Sequence, residues 1–563
     1  MRICIEIWNE QRAIAIGPFP FAFVKIINIL AGRKYWKELA HVKFEATPNN
    51  LRILRDCGYE IEWIDKTGQL TEQQVIDTMP TQHAKPEELP IDYTPQLMWY
   101  DHQDRCIGLS WFREWYAVFF DMGLGKTAIL IATAGILYMM KKLTGVLIIA
   151  PKGVYEQWIR DEIPKHLDKR IFWNGVLWKK KRIRDFHIRE KQSLTFFAMN
   201  TDAIRTHDGL ATAEAFLKSH SGKSLVIVDE SDDFKPGSTR TYNLMKLKEL
   251  ATFRRISTGT PLTSNATDLW QQMNFLDERV LGFKYLTAFK QKFCITRPGD
   301  TTKIVAHKNI EELYGLLAPH SFRMMQEEAM DLPEKIYVPI EYDMSDETAR
   351  YYKQLKEELL AEMDDGKYVD AVNPAVLLLR LHQCVCGFLT RKPDDEEGAD
   401  VMYRFGGERV KELKMIVEKS SGPIVIWARF IEDRNTITKA LKEIDETYCI
   451  YAGTDSERAN AKEAFMRKKK RIFLSNQATG GVGLDGLQGD CATVIHWSSS
   501  FRARHRWQSE ARTTRIGTKG TVKHFDLIAR RSVDRKILAN LKAKKDLASL
   551  TLDDIRRAIL VEN

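Results

Sequence analysis

Apolar residues recur along this chain in short blocks that end where a polar or glycine-rich stretch begins. Ala117 to Phe120, Val146 to Ala150, Leu225 to Val228 and Arg254 to Ser257 read as strands of this kind. Strands covered on both faces need continuous apolar runs, and crossover helices between them give this alternation. A second series follows at Ile424 to Trp427, Tyr448 to Tyr451, Arg471 to Ser475, Thr493 to Trp497 and Val522 to Leu527. The pattern predicts two consecutive α/β lobes joined by a mainly helical stretch from Asp268 to Val417. Ligands of such sheets collect at the carboxyl ends of the strands, where the polar stretches fall.

Ahead of the first lobe, Ile3 to Ile7 and Ala13 to Ile16 read as strands and Phe23 to Leu30 as a helix. Pro80, Pro86, Pro90 and Pro95, with few large apolar residues between them, have the composition of a linker. The expected order is a small α/β domain at 1–75, a linker at 76–92 and lobe one at 93–280. A mainly helical interlobe region at 281–405, lobe two at 406–545 and a helical tail at 546–563 follow. The acidic tract Asp394 to Glu397, beside Pro393 and Gly398, reads as a solvated loop.

Composition adds three constraints. With 563 residues the chain has room for about three or four domains. Its 85 Lys and Arg exceed its 76 Asp and Glu, a balance that leans toward a polyanionic partner. The eight cysteines are scattered and form no CxxC pair, so a reducing compartment is the natural reading. Gly17, Pro18, Pro20 and Lys25 interrupt the apolar stretch from Ala13 to Leu30, which fits neither a signal peptide nor a membrane span. A soluble intracellular protein is expected.

The chemistry starts after the strand Ala117 to Phe120, at Asp121-Met122-Gly123-Leu124-Gly125-Lys126-Thr127 and the helix-forming run Ala128 to Ile131. Strand, glycine loop, Lys-Thr and helix is the order a phosphate cradle needs. Glycines let backbone N–H groups close on phosphates, Lys126 supplies charge, and the Thr127 hydroxyl can hold Mg²⁺. Phe120 occupies the place of the first glycine in the general pattern. Further on, the strand Ser224 to Val228 ends in Asp229-Glu230-Ser231-Asp232. Such an acidic pair suits a metal-holding Asp229 and a Glu230 that polarises an attacking water.

These segments resemble a family. DMGLGKT at 121–127, DESD at 229–232 and STGTPLTSNATDLW at 257–270 are similar to motifs I, II and III of Swi/Snf-type ATPases of helicase superfamily 2. YAGTDSERAN at 451–460, LSNQATGGVGLDGL at 474–487 and QSEARTTRIGTKG at 508–520 resemble its later motifs, in the family's order. The resemblance implies two tandem RecA-like lobes with ATP between them. It makes Arg512 and Arg515, three residues apart as one helical face allows, the arginine fingers, and Gln103 the reader of adenine. Met122, Gly123, Leu124, Gly125, Lys126, Thr127, Ala128, Gly483 and Asp485 are then nucleotide-binding candidates, with Thr127 and Asp229 on Mg²⁺. Pro151, Lys152, Trp158, Thr258, Gly259, Thr260, Thr479, Gly480 and Gly481 match segments that face nucleic acid or couple the ATP site to it. The chain departs from the family at Asp232, where His is usual, at Asp485, where Asn is common, and at Thr518, where Gln is usual.

Trp178 to Arg184 and Met466 to Arg471 concentrate positive charge that would attract phosphates if it faced the track. Phe501 to Trp507 is expected on the lobe interface or the DNA side. His382, Cys384 and Cys386 read as part of a buried helix and not as a metal centre. The N-terminal unit faintly resembles the DNA-structure-binding domain of annealing helicases, which makes Arg33, Lys34 and Trp36 candidates for backbone and base contacts. The resulting expectation is an ATP- and Mg²⁺-dependent translocase on double-stranded or branched DNA that remodels or reanneals it, or displaces bound proteins. A strand-separating DNA or RNA helicase and an ATP-gated clamp without turnover are the alternatives. A monomer is expected, off the membrane, in a bacterium or the cytoplasm of a virus-infected host; protein partners are not specified by the sequence.

Overall fold

The computed structural model describes residues 86–178, 193–261, 266–297, 300–329, 333–364, 374–391, 401–480, 486–487, 491–515 and 518–542, together with the strand backbones of the first 65 residues. The chain divides into two compact units. One holds residues 1–79, 265–270 and 281–317, the other 80–264, 271–280 and 318–563.

In the first unit, five strands pair in the order Lys34–Trp36, His41–Glu45, Arg12–Ile16, Arg2–Asn9, Glu60–Asp65. Three of the pairings are antiparallel, and the last, Arg2–Asn9 with Glu60–Asp65, is parallel. The two strands expected from Ile3 and Ala13 are thus neighbours, while the helix expected at Phe23 to Leu30 falls outside the described residues. The same unit carries an antiparallel pair, Cys294–Arg297 with Asp300–His307.

The larger unit contains the two expected α/β lobes. In the first lobe, seven strands lie in the order Ser321–Met324, Trp115–Phe120, Phe253–Ser257, Ser224–Asp229, Gly145–Ala150, Leu194–Asn200, Trp173–Leu177. Every pairing in this sheet is parallel. Val118, Phe120, Ile148, Ile227 and Phe196 are fully buried and pack with the helix Lys126–Met139. Burial of each such side chain contributes about 1.5–3 kcal/mol. In the second lobe, six parallel strands lie in the order Lys335–Tyr342, Val522–Ala529, Thr493–His496, Ile424–Trp427, Ile472–Ser475, Tyr448–Ile450. Arg409, on the helix Glu408–Lys419, is buried under this sheet and pairs with Asp534 on the helix Val533–Lys542.

The stretch expected to be mainly helical gives an edge strand to each lobe. Ser321–Met324 pairs with Trp115–Phe120, and Lys335–Tyr342 pairs with Val522–Ala529. Pro339 interrupts the apolar pattern of the second, and a proline is tolerated there because an edge strand leaves one row of backbone groups outside the ladder. His382 and Cys384 lie on the helix Pro374–Val385, and Cys386 follows it. All three are buried, with the His382 ring stacked on Phe501.

Candidate functional site: a phosphate loop facing a second lobe

The glycine loop leaves the end of the strand Trp115–Phe120 and enters the helix Lys126–Met139. Gly123 and Gly125 have φ of 86° and 79°, the left-handed region that side chains with a Cβ rarely enter. A Cβ on Gly125 would stand 2.0 Å from Nε2 of Gln103, so a side chain there would also have to displace the Gln103 amide from its bond to Leu124 O. The Lys126 ammonium donates to the carbonyl oxygens of Phe120 at 2.9 Å and Asp121 at 3.4 Å, which holds it across the loop mouth. Thr127 is half-buried in the first helical turn, where unpaired N–H groups and the helix dipole favour an anion. Leu124 and Ala128 are buried and anchor the loop from below, while Met122 is half-buried beside Gly259.

Gln103 is buried beneath this loop. Its Nε2 donates to Leu124 O at 3.1 Å, and its Oε1 accepts from the Tyr100 N–H at 3.2 Å. One amide proton and one lone pair are therefore spent on shaping the loop, which leaves one of each for a ligand. The segment before it is tied down by Gln96, whose Nε2 donates to Pro164 O and Leu167 O, and by Tyr93 stacked on Trp99.

The acidic pair ends the strand Ser224–Asp229, two strands away from the loop. Asp229 Oδ1 accepts from Ser257 Oγ at 2.8 Å and from the Glu230 N–H at 3.1 Å, while Oδ2 accepts from the Trp158 indole at 3.3 Å. Glu230 adopts φ 53°, a left-handed conformation uncommon for a residue with a side chain and a frequent mark of functional turns.

Three residues expected to face nucleic acid or to couple the ATP site to it point into this acidic turn. Trp158 is fully buried and donates to Asp229, so it has no surface to offer a DNA strand. Thr258 is buried and donates to Asp232 Oδ1 at 2.7 Å, with Glu230 Oε2 at 3.5 Å. Thr260 donates to Asp232 Oδ2 at 3.2 Å. Their hydroxyls are drawn inward because the carboxylates are the strongest acceptors within reach. Gly259 between them packs on Met122 and Phe120 O, which makes Thr258–Thr260 a link between the phosphate loop and the acidic turn.

Lobe two supplies two arginines. Arg512 lies in the last turn of the helix Ala503–Thr513, but Arg515 stands beyond the helix end, so the two do not share a helical face. The turn is fixed by Thr518 Oγ1, which accepts from the Arg515 N–H at 3.0 Å and donates to Arg515 O at 2.7 Å. Arg515 Cβ lies 3.4 Å from where a Cβ of Gly123 would stand. Gln326 bridges the lobes nearby: its N–H donates to Asp121 Oδ2 at 3.1 Å and its Nε2 to Thr514 O at 3.2 Å.

These elements surround one cavity of about 490 Å³ whose walls include Gln103, Gly125, Lys126, Thr127, Asp229, Glu230, Arg512 and Arg515. Its size is that of a small-molecule site, and it sets cationic side chains from both lobes against a carboxylate pair. The Thr127 hydroxyl and the fixed Asp229 carboxylate are hard oxygen donors of the kind Mg²⁺ takes. Among the remaining candidates, Lys152 is exposed and Pro151 half-buried at the end of Gly145–Ala150. Thr479 is half-buried with its N–H bonded to Asn476 Oδ1 at 2.6 Å. Gly480 is buried against Trp427, a packing role. Arg33, Gly481, Gly483, Asp485 and the basic residues 179–184 lie outside the described residues, as do the side chains of Lys34 and Trp36. Of the second basic cluster, Arg471 is spent on Glu446 and the carbonyls of Gly422 and Val417, and Arg467 pairs with Glu463; Arg467, Lys468 and Lys469 are exposed and Lys470 is half-buried.

Phe501 to Trp507 was expected on the lobe interface or the DNA side, and its Arg504 reaches from lobe two to the acidic turn, on partners the sequence did not specify. One feature of this region did not stand out in the sequence. His496, Glu510 and His524 cluster with ligand atoms within 4.8 Å of one another. Arg506 Nε and the Tyr337 hydroxyl already donate to the two oxygens of Glu510, at 2.5 and 2.7 Å, so this carboxylate is already engaged.

Residues 107–387 match the SNF2-related domain. The chromatin remodeling factor mit1 of Schizosaccharomyces pombe is 25% identical over 80% of this chain, and the ISWI chromatin-remodeling complex ATPase ISW2 of Saccharomyces cerevisiae 25% identical over 77%. The chain spans 32% and 38% of their lengths. The SWI2/SNF2 ATPase core of Sulfolobus solfataricus in complex with dsDNA is similar at 22% identity, covering 84% of this chain and 99% of that one, with a TM-score of 0.38. The two yeast relatives lend no support to the expected bacterial or viral setting, and among the described residues no helix is long and apolar enough to cross a membrane. With its two parallel-sheet lobes and its SNF2-related domain, the chain belongs to the Swi/Snf-type ATPase family of helicase superfamily 2.

Proposed function

We propose that the chain is a DNA-dependent ATPase that moves along double-stranded or branched DNA, remodelling or reannealing it or displacing bound proteins. The observation that carries this reading is the convergence on one cavity of Lys126 and Thr127, Asp229 and Glu230, and lobe two's Arg512 and Arg515. Lys126 and the loop N–H groups would hold the phosphates, and Glu230 would orient and deprotonate the attacking water. Arg512 and Arg515 would neutralise charge that develops on the γ phosphate, the electrostatic contribution expected to dominate in phosphoryl transfer. Mg²⁺ held by Thr127 and Asp229 would supply charge neutralisation between the phosphates. Because the arginines come from lobe two, hydrolysis would require closed lobes, and cycles of closure and opening would move the DNA. Lys152, Thr479 and the exposed Lys468 and Lys469 are described residues that would meet its backbone.

The test is steady-state ATP hydrolysis by wild type and Lys126→Ala with no effector, duplex, single-stranded or forked DNA, or RNA. Strongest stimulation by duplex or forked DNA, absent in the variant, supports the translocase. Stimulation by RNA alone, or none, sinks it and leaves the helicase or clamp.

A further inference from the structure

Where the lobes meet, one guanidinium faces three carboxylates. Arg504, in the first turn of the helix Ala503–Thr513, places Nη1 2.9 Å from Asp232 Oδ2 and 2.7 Å from Asp233 Oδ1, with Nη2 3.4 Å from Glu230 Oε2. All three acids belong to the turn that follows Asp229. The partners are 271 and 272 residues apart in the chain for Asp233 and Asp232, so the packing of lobe two on lobe one brings them together.

Asp232 is the centre of this arrangement. It is 2% exposed, and both its oxygens take hydroxyls from lobe one, Thr258 on Oδ1 and Thr260 on Oδ2. Burial pushes its carboxyl up to about 6; Arg504 opposes this, Glu230 and Asp233 add to it, and Thr258 opposes it. The carboxyl groups of Glu230, Asp232 and Asp233 crowd one turn, and the positive charge that faces them is delivered by the other lobe. Glu230 itself is held on Oε2 from two sides, by the Thr258 hydroxyl at 3.5 Å and by Arg504 at 3.4 Å.

We propose that Arg504 is a positioning residue: it ties lobe two to the Glu230–Asp233 turn and so fixes the Glu230 carboxylate for its work on the attacking water. The inference rests on the assignment of Glu230 made above. Energetically the tie suits a lobe that opens and closes, because desolvating Arg504 and Asp232 offsets most of their attraction. What remains is direction more than strength. A planar guanidinium whose Nη1 is shared by Asp232 and Asp233 and whose Nη2 faces Glu230 tolerates little rotation, so one lobe orientation is selected and Glu230 is set only in it.

The experiment is steady-state ATP hydrolysis with saturating duplex DNA, alongside thermal melting, for wild type, Lys126→Ala, Arg504→Gln, Asp232→Asn and the Arg504→Gln/Asp232→Asn pair. Asp232→Asn keeps the shape of the site, and so serves as the second variant should Arg504→Gln fold poorly. A misplaced Glu230 lowers kcat on the order of 10- to 100-fold in each single variant while KM for ATP stays within about threefold. The double variant then lies within about threefold of the worse single, since both substitutions break one contact. Unchanged kcat in both singles, a rise in KM alone, or a double variant whose loss equals the product of the singles overturns the proposal. Folded wild type that hydrolyses no ATP overturns the ATPase reading itself, whereas activity lost in Lys126→Ala but kept in Arg504→Gln and Asp232→Asn overturns the positioning role alone.

Discussion

The indole N–H of Trp158 donates to Oδ2 of Asp229 across 3.3 Å inside the first lobe, from a side chain with no exposed surface. That bond makes Trp158 part of the acidic site and not of a DNA-facing surface. Trp158→Phe removes the donor and keeps most of the packing, so it should cost about 1 kcal/mol of stability. Asp229 would then be oriented by Ser257 and the Glu230 N–H alone, and the Mg²⁺ concentration that half-saturates hydrolysis should rise several-fold while duplex affinity stays unchanged. A Mg²⁺ titration of the ATPase with a DNA-binding isotherm decides it: weaker DNA binding at an unaltered Mg²⁺ requirement would return Trp158 to the nucleic-acid surface.

Gly125 carries two separate demands for glycine, a φ of 79° and a Cβ position 2.0 Å from Gln103 Nε2. Gly125→Ala should therefore weaken nucleotide binding by at least about tenfold, since left-handed strain of roughly 1–2 kcal/mol adds to the clash. Adding Gln103→Ala removes the clash and leaves the strain, so a fluorescent ATP analogue should bind the pair more tightly than Gly125→Ala and less tightly than wild type. Equal affinity of the single and double variants would mean that Gln103 does not press on the loop.

The sequence patterns that proved legible are those whose cause is local. The strand at Ala117, the glycine loop and the Lys126 helix follow one another directly, and so do the strand at Leu225 and its acidic end. Edge strands were harder to read, because Ser321–Met324 is short and Lys335–Tyr342 is interrupted by Pro339, and each is defined by a partner strand more than 180 residues away in the chain. Side-chain direction was harder still. Thr258 and Thr260 carry hydroxyls suited to a phosphate, yet they turn to Asp232 because that carboxylate is buried beside them. The spacing of Arg512 and Arg515 suggested one helical face, but the helix ends at Thr513. Asp232 stood out as a departure from the family pattern, and Phe501 to Trp507 as a segment expected on the lobe interface or the DNA side. That Arg504 of the second meets the first depends on the packing of two lobes, which neither segment encodes alone.

Gly480 was expected beside nucleic acid, yet a Cβ there would lie 2.5 Å from Trp427 Cζ3 and 2.8 Å from Ser475 Oγ. Trp427 is fully buried in the second sheet and cannot step aside, so Gly480→Ala should cost about 1–3 kcal/mol. Differential scanning calorimetry should show this as a lower melting temperature. An unchanged melting temperature combined with weaker DNA binding would restore the expected contact.

Gln477 Oε1 accepts from the Ser500 N–H at 2.7 Å, which turns its Nε2 toward His496 Nδ1 at 3.3 Å. His496 must then accept at Nδ1 and donate from Nε2 to His524 Nδ1, 3.2 Å away. Both rings are thereby held neutral. Burial drives His524 down to about 4, with Glu510 opposing and Arg506 and Lys335 reinforcing the shift, while Tyr337 stacks on its ring. Burial, Arg506 and His524 likewise hold His496 well below the ordinary histidine value. For a base whose folded value is depressed, the unfolded chain binds the proton first. Stability from this pair is therefore complete above about 6.5 and is lost as pH falls from there toward 4, by up to roughly 3 kcal/mol for His524. Asp232 acts in the opposite sense, since its raised value makes the folded state gain protons as pH falls through about 6. A comparison with His524→Gln isolates the histidine contribution. The melting-temperature advantage of wild type over this variant should be largest near pH 7.5 and shrink steadily toward pH 5. An advantage that stays constant over that range would mean that His524 is not held neutral by its surroundings.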